Sequence, residues 1–349
     1  MPTTLDKLVF EASQAARIGW FFGQKVLVQR LARPVPVPER LRGRPVPDRN
    51  RLRRDLRRLL EQDWRNIAAG DYLPPDDWRG NPIAGLRRAV DFLLDLPKVE
   101  AARHGDRTAR RLGDPPTRGY PNYYLQKFHF QTDGYLSAAS AERYDYQVES
   151  LFGGAAAPMR RQALVPLREA LRRHPGGAAA ARLLDIGCGT GMLLRDVKRN
   201  HPRLAVVGVD LSAPYLAVAR RRLAHWSGVQ WIKATAEATP FRDTEFDIVT
   251  CTYLFHELPP AARRAVAAEI ARVLKPGGTL IFVDSLQTHD EPDYDALLEW
   301  FPTVFHEPYY GSYLRTDLDR LMGAELAPVA RTPAYLSKVL TYRRRTAAS

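Results

Sequence analysis

Apolar residues recur at helical spacing near the start of the chain. Leu5, Leu8, Val9, Ala12, Ala15, Ala16 and Phe22 form one stripe, which predicts a helix over Leu5 to Leu31. Thr3 stands where an N-cap belongs and Asp6 falls in the first turn. A second helix is predicted from Arg51 to Ala69 on Leu52, Leu56, Leu59, Leu60 and Ile67, with Gly70 to end it. A third starts at Asn81–Pro82, a capping residue followed by proline at the first helical position, and turns Leu86, Val90, Leu93 and Leu94 inward. Residues 33–50 and 102–120 are rich in Arg and Pro and read as linkers. Residues 1–120 are thus expected to form a helical extension, with 121–180 as a lid or connecting helices.

From about residue 181 the rhythm changes. Strand-like runs at Ala181–Ile186, Leu204–Asp210, Val229–Lys233, Phe246–Tyr253 and Thr279–Asp284 alternate with helical stretches at Met192–Arg199, Ala213–Leu223 and Ala261–Leu274. Two further strands, Glu325–Arg331 and Ser337–Arg343, lie close enough to pair antiparallel. Such alternation predicts an α/β fold for residues 181–349: a doubly wound, Rossmann-like, mostly parallel sheet of seven strands covered by helices.

Charge adds one feature. The net charge is +13, and residues 1–120 carry 24 Lys/Arg against 15 Asp/Glu. The densest stretch, Arg30 to Arg58, follows the aromatic run Trp20-Phe21-Phe22. An amphipathic helix, an aromatic cluster and a basic block in that order suit weak association with an anionic membrane surface. The competing expectation is that the aromatics pack into the protein's own core. No apolar run reaches the roughly 18 residues that span a bilayer, and Lys7, Glu11, Arg17 and Lys25 break up the start, so a cytoplasmic protein, at most peripheral at a membrane, is expected. The two cysteines, Cys188 and Cys251, belong to no disulfide or zinc pattern.

The chemistry concentrates at Leu183-Leu184-Asp185-Ile186-Gly187-Cys188-Gly189-Thr190-Gly191, where an apolar strand runs into a glycine-rich turn that opens a helix. Such a turn lets a ligand approach the backbone and offers free N–H groups. Asp210 stands 19 residues beyond Gly191 at the end of the next strand, where an acidic residue suits a ribose diol. Met192 occupies the place of the third glycine of a dinucleotide fingerprint, which weakens that alternative. Ala236-Glu237, Thr239-Pro240-Phe241, Phe246-Asp247-Ile248-Val249 and Leu274-Lys275-Pro276-Gly277-Gly278 follow in order.

Together these motifs, covering roughly half the chain, resemble the class I S-adenosylmethionine-dependent methyltransferases, in particular the branch that includes ubiquinone/menaquinone C-methyltransferases and many natural-product enzymes. The resemblance implies S-adenosyl-L-methionine as cofactor. Gly187, Gly189 and Gly191 would line its methionine part. Asp185 would hold the amino group, directly or through water. Asp210 would take the ribose hydroxyls and Leu211 the adenine face. Ala236 and Glu237 would sit at the adenine edge, and Thr252 beside the sulfonium. Thr235 stands where many relatives carry Asp.

Methyl transfer needs alignment and exclusion of water, and a base only for a protonated acceptor. His256, after the fourth strand, and His306, in Phe305-His306-Glu307-Pro308-Tyr309-Tyr310, are candidates. His129 and Tyr135 belong to a third cluster, Phe128-His129-Phe130-Gln131-Thr132-Asp133-Gly134-Tyr135, which suits an active-site cap. Scattered histidines without metal-ligand spacing predict no metal site. The expected acceptor is a small apolar or aromatic molecule of quinone, lipid or natural-product type. The alternative is an RNA or protein methyltransferase that docks through the basic N-terminal half, although no nucleic-acid-binding motif is present and none is expected as partner. Oligomeric state is left open.

Overall fold

A computed structural model describes residues 3–76, 82–104, 119–131 and 133–346. Among the described residues, seven α-helices precede the sheet: α1 (Thr4–Leu31), α2 (Arg49–Ala68), α3 (Pro82–His104), α4 (Ala138–Leu151), α5 (Ala156–Arg161), α6 (Leu164–Arg173) and α7 (Gly177–Ala180). The cap at Thr3 forms as expected. Its hydroxyl accepts from Asp6 N–H, and the Asp6 carboxylate accepts in return from Thr3 N–H, closing a capping box. Asn81, the expected cap of α3, lies outside the described residues, as do 105–118 of the second linker. The first linker is irregular except for a 3₁₀ turn at Glu39–Leu41 and its last two residues, Arg49 and Asn50, which already belong to α2.

The apolar stripe of α1 faces outward. Leu5, Leu8, Val9, Leu27 and Leu31 are exposed, while Phe10, Gln14, Arg17 and Gln24 are buried. The buried polar face is matched by partners: Arg17 lies 2.6 Å from Glu149 of α4. Residues of the aromatic run divide. Trp20 Nε1–H donates to Tyr146 Oη at 3.0 Å, and Phe21 packs on the same ring, whereas Phe22 is exposed. The stripe of α3 is likewise turned out at Leu86, Val90 and Leu94.

Strands β1 (Arg182–Ile186), β2 (Ala205–Asp210), β3 (Val229–Lys233), β4 (Phe246–Thr252), β5 (Leu274–Ser285), β6 (Leu326–Ala334) and β7 (Ser337–Arg344) form one sheet in the order β3-β2-β1-β4-β5-β7-β6. The first five are parallel, and β7 runs antiparallel to both β5 and β6. Crossovers are made by α8 (Met192–Asn200), α9 (Ala213–Arg222) and α10 (Pro260–Val273). Leu183, Leu184 and Ile186 are buried on both faces, as an interior parallel strand requires. Strand β5 begins at Leu274, earlier than the apolar run at 279: Leu274 pairs with Phe246, and the Pro276-Gly277-Gly278 bend shifts the register before Thr279 pairs with Ile248. Between β5 and β6 come α11 (Asp295–Phe305), α12 (Tyr310–Tyr313) and α13 (Leu318–Met322). The N-terminal helices join this core, because Phe10, Ile67 and Tyr72 lie in one apolar cluster with Leu183, Ile281 and Val339.

Candidate active site

The site lies at the carboxyl ends of β1, β2 and β4, where parallel sheets of this kind bind ligands. After β1 the chain turns through three glycines. Gly187 has φ +71°, and a Cβ there would meet Leu254 Cδ2 at 3.1 Å. Gly191 caps α8 with φ +77°, and a Cβ there would meet Ala219 Cβ at 3.0 Å. The positive φ favours glycine at both positions, and a side chain there would also crowd its neighbours. The turn is pinned to β2: N–H of Gly187 and Cys188 donate to Val209 O at 2.9 and 3.0 Å. Asp210 completes the clamp, its carboxylate accepting from the N–H of Gly189 and of Ser212, each at 2.8 Å. Burial raises the Asp210 carboxyl above its ordinary value, against the lowering by these backbone donors.

A pocket open to solvent lies over this turn. One wall is Gly187, Gly189, Asp210, Leu211, Ala236 and Thr252, all expected there from the motifs; Ala234 and Leu254, not singled out in the sequence, join them. The opposite wall is aromatic: Tyr123, Tyr124, Phe128, Tyr135, Tyr144 and Tyr215. Most of it comes from the 3₁₀ turns Asn122–Leu125 and Phe128–Phe130 and from α4, the segment expected to cap the site. Two buried polar atoms, Thr252 Oγ1 on the pocket wall and Glu237 Oε2 next to Ala236, have no hydrogen-bond partner among the described residues; the other Glu237 oxygen accepts from Tyr123 O–H at 2.5 Å. Asp185 stands behind the wall rather than in it. Thr250 O–H donates to it at 2.7 Å, and burial carries its carboxyl up to about 7.

The four residues considered for proton transfer take different places. Tyr135 lines the pocket and donates to Glu257 Oε1 at 2.5 Å. His256 does not line it. Its Nδ1 lies 2.6 Å from Asp284 Oδ1, and although burial disfavours the imidazolium, Asp284 outweighs this and raises the group to about 9. His306 closes α11 in the left-handed region at φ +49° and does not line the pocket either. His129 sits behind Phe128, with Nε2 2.7 Å from Glu307 Oε1. In both His-Glu pairs of the sequence, 256–257 and 306–307, it is the glutamate that turns into this region. Glu257 lines the pocket, and burial together with Glu307 pushes its carboxyl above the usual range. The donor atoms of His129, Glu257 and Glu307 all lie within 4.8 Å of one another. Their separation in the chain hides this grouping from any spacing rule. His129, Tyr253 and His306, none a glycine, all adopt positive φ around the site, as strained functional positions do.

Residues 183–278 match the family described as a methyltransferase domain. The chain is 37% identical over 110 residues to a ubiquinone/menaquinone biosynthesis C-methyltransferase of Desulfotalea psychrophila, covering 32% of this chain and 44% of that protein. It is 39% identical over 145 residues to a demethylmenaquinone methyltransferase of Thermus thermophilus, covering 41% of this chain and 61% of that one. The match therefore spans about half the length of these relatives. A solved structure, the N-methyltransferase NodS from Bradyrhizobium japonicum in complex with S-adenosyl-L-homocysteine, aligns with a TM-score of 0.41 at 17% identity over 54% of this chain and 87% of that one.

Proposed function

We propose, from a chain that carries a class I S-adenosylmethionine-dependent methyltransferase domain of the ubiquinone/menaquinone C-methyltransferase-like branch, that it methylates a small apolar or aromatic acceptor of quinone, lipid or natural-product type. The observation that carries the reading is the two-sided pocket: a glycine turn with Asp210 on one wall and six aromatic rings on the other. Flat apolar molecules are recognised by such walls. Basic docking of RNA or protein is the weaker reading, because part of the arginine block is engaged within the chain: Arg51 pairs with Asp55, Glu291 and Asp293, Arg58 with Asp55, and Arg40 and Arg44 both with Glu299.

The residues present fit the cofactor. The unpartnered Thr252 Oγ1 and Glu237 Oε2 are buried polar atoms in need of a partner, and the glycine turn leaves room for one. Gly187, Gly189 and Gly191 would hold the methionine part, Asp185 its amino group through water, Asp210 the ribose, Leu211 and Ala236 the adenine, and Thr252 the sulfonium end. S-adenosylmethionine supplies an already activated methyl group. The chain's own work is to align the acceptor, exclude water with Tyr124, Tyr135 and Tyr144, and accept a proton where the acceptor carries one. Glu257, on the pocket wall, is better placed for that proton than His256 or His306, and Tyr135 orients it. Incubation of the full chain with S-adenosylmethionine and a panel of demethylated quinones and hydroxyaromatics should release S-adenosylhomocysteine. Turnover with bulk RNA or protein, and none with any small acceptor, would overturn the reading.

A second element of the proposal is peripheral membrane association through α1. Its outward face presents Leu5, Leu8, Val9, Trp20, Leu27 and Leu31. No helix of the described residues is long and apolar enough to cross a membrane, so the contact is interfacial. The full chain should sediment with anionic vesicles at low salt and not with neutral ones; no sedimentation with either would remove the proposal.

A further inference from the structure

We infer that His129, Glu257 and Glu307, with His256 beside them, bind one divalent first-row transition cation at the acceptor side of the pocket. The donor atoms of the first three come from the turn before α4, the turn after β4 and the loop after α11, and they converge within 4.8 Å. A cation bound at about 2.0–2.2 Å to each needs donors a little closer than that, a shift within side-chain reach.

Three further observations point to a ligand. Glu307 is 1% exposed, and its Oε2 is buried with no hydrogen-bond donor. The other oxygen faces His129 Nε2 at 2.7 Å. Glu307, fully buried, and Glu257, half-buried and already accepting from Tyr135 O–H, therefore stand together with His129 beside them. Buried anions left in this state are unstable without a cation or a shared proton. Finally, His256 has the orientation of a metal-bound imidazole. Its Nδ1 is fixed by Asp284, which is itself held by the N–H groups of Phe255 and Ser285, and its Nε2 lies 4.0 Å from Glu257 Oε1. Mixed carboxylate and imidazole donors suit Mn²⁺, Fe²⁺, Co²⁺ or Zn²⁺. The absence of any metal signature in the sequence has a plain cause: the ligands come from three segments, and no two share a short spacing. Glu257 also lines the pocket, so a cation here would favour acceptors that present an oxygen to it.

The test uses the full chain, stripped with a chelator and returned to metal-free buffer. Co²⁺ serves as a spectroscopic probe and Mn²⁺ as a calorimetric one. One equivalent of each should bind, with visible Co²⁺ absorption. Glu307→Gln and His129→Gln should each weaken binding about tenfold or more while leaving the affinity for S-adenosylhomocysteine nearly unchanged. Each variant's melting temperature shows whether it folds, and either one alone suffices to read the site. Lack of saturable binding by the wild-type chain overturns the inference and leaves a proton shared between Glu257 and Glu307. Equal binding by wild type and both variants overturns it as well. The methyl-transfer reading fails separately, by loss of S-adenosylhomocysteine binding in the metal-free wild type.

Discussion

Asp210 carries two loads at once. It holds the glycine turn through the N–H groups of Gly189 and Ser212, and it faces the pocket. Asp210→Ala should weaken S-adenosylmethionine binding by about 1.5–3 kcal/mol, the worth of hydrogen bonds to a charged group; calorimetry showing unchanged affinity would remove Asp210 from the site. Asp185 offers a pH test. Its carboxyl titrates near 7 in the folded chain against 3.8 as the ordinary value. Between those values the folded state binds more protons than the unfolded one, so this group's contribution to stability falls as pH rises through the window and levels off above about 7. Asp185→Asn should therefore stabilise the cofactor-free chain more at pH 7.5 than at pH 5 in denaturant unfolding, and should weaken cofactor binding. A gap that does not widen with pH would contradict it. At this scale the glycines, Asp210, Leu211, Ala236 and Thr252 were legible because a backbone turn and a strand end are local features. His256 was legible as a residue but not in its direction, since Asp284, 28 residues on, decides where its ring points.

Elements were legible in existence more than in facing. Helical spacing located α1, but the same spacing marks a stripe without saying which neighbour, if any, covers it. The structure buries the other face, through Phe10 against Trp64 and Arg17 against Glu149, and turns the stripe out. The two faces should respond differently to substitution. Phe10→Ala should cost about 3–5 kcal/mol in denaturant unfolding, as truncation of a packed aromatic does. Leu5→Ser together with Val9→Ser should leave stability within about 0.5 kcal/mol per site, as exposed substitutions do, and should abolish vesicle sedimentation. A large stability loss from the second pair would mean that the stripe is covered in solution. Deletion of residues 1–31 would remove both faces together and so cannot separate anchoring from packing.

For the whole molecule, the segment before the sheet is tied to the glycine turn and to the elements beside it by hydrogen bonds across large sequence distances. Ser212 O–H donates to Tyr135 O at 2.5 Å, Thr190 O–H to Asp145 Oδ1 at 2.6 Å, Arg222 to Asp145 Oδ2 at 2.5 Å, and Tyr123 O–H to Glu237 at 2.5 Å. Ligand binding at the turn should thus raise amide hydrogen-exchange protection in residues 122–151 as well as in 187–191. Protection confined to the turn would show that the aromatic wall is not coupled to cofactor binding. Helical spacing, strand–helix alternation and the glycine motif were enough, by themselves, to determine the seven-stranded sheet, the helical segment before it and the place of the glycine turn at the strand ends, because periodicity and turn chemistry are written in neighbouring residues. Tertiary structure alone decided the outward face of α1, the early start of β5 at its bend, and the meeting of His129, Glu257 and Glu307. Each of these depends on which segments are brought together in space, and pairing between segments distant in the chain leaves no local pattern to read.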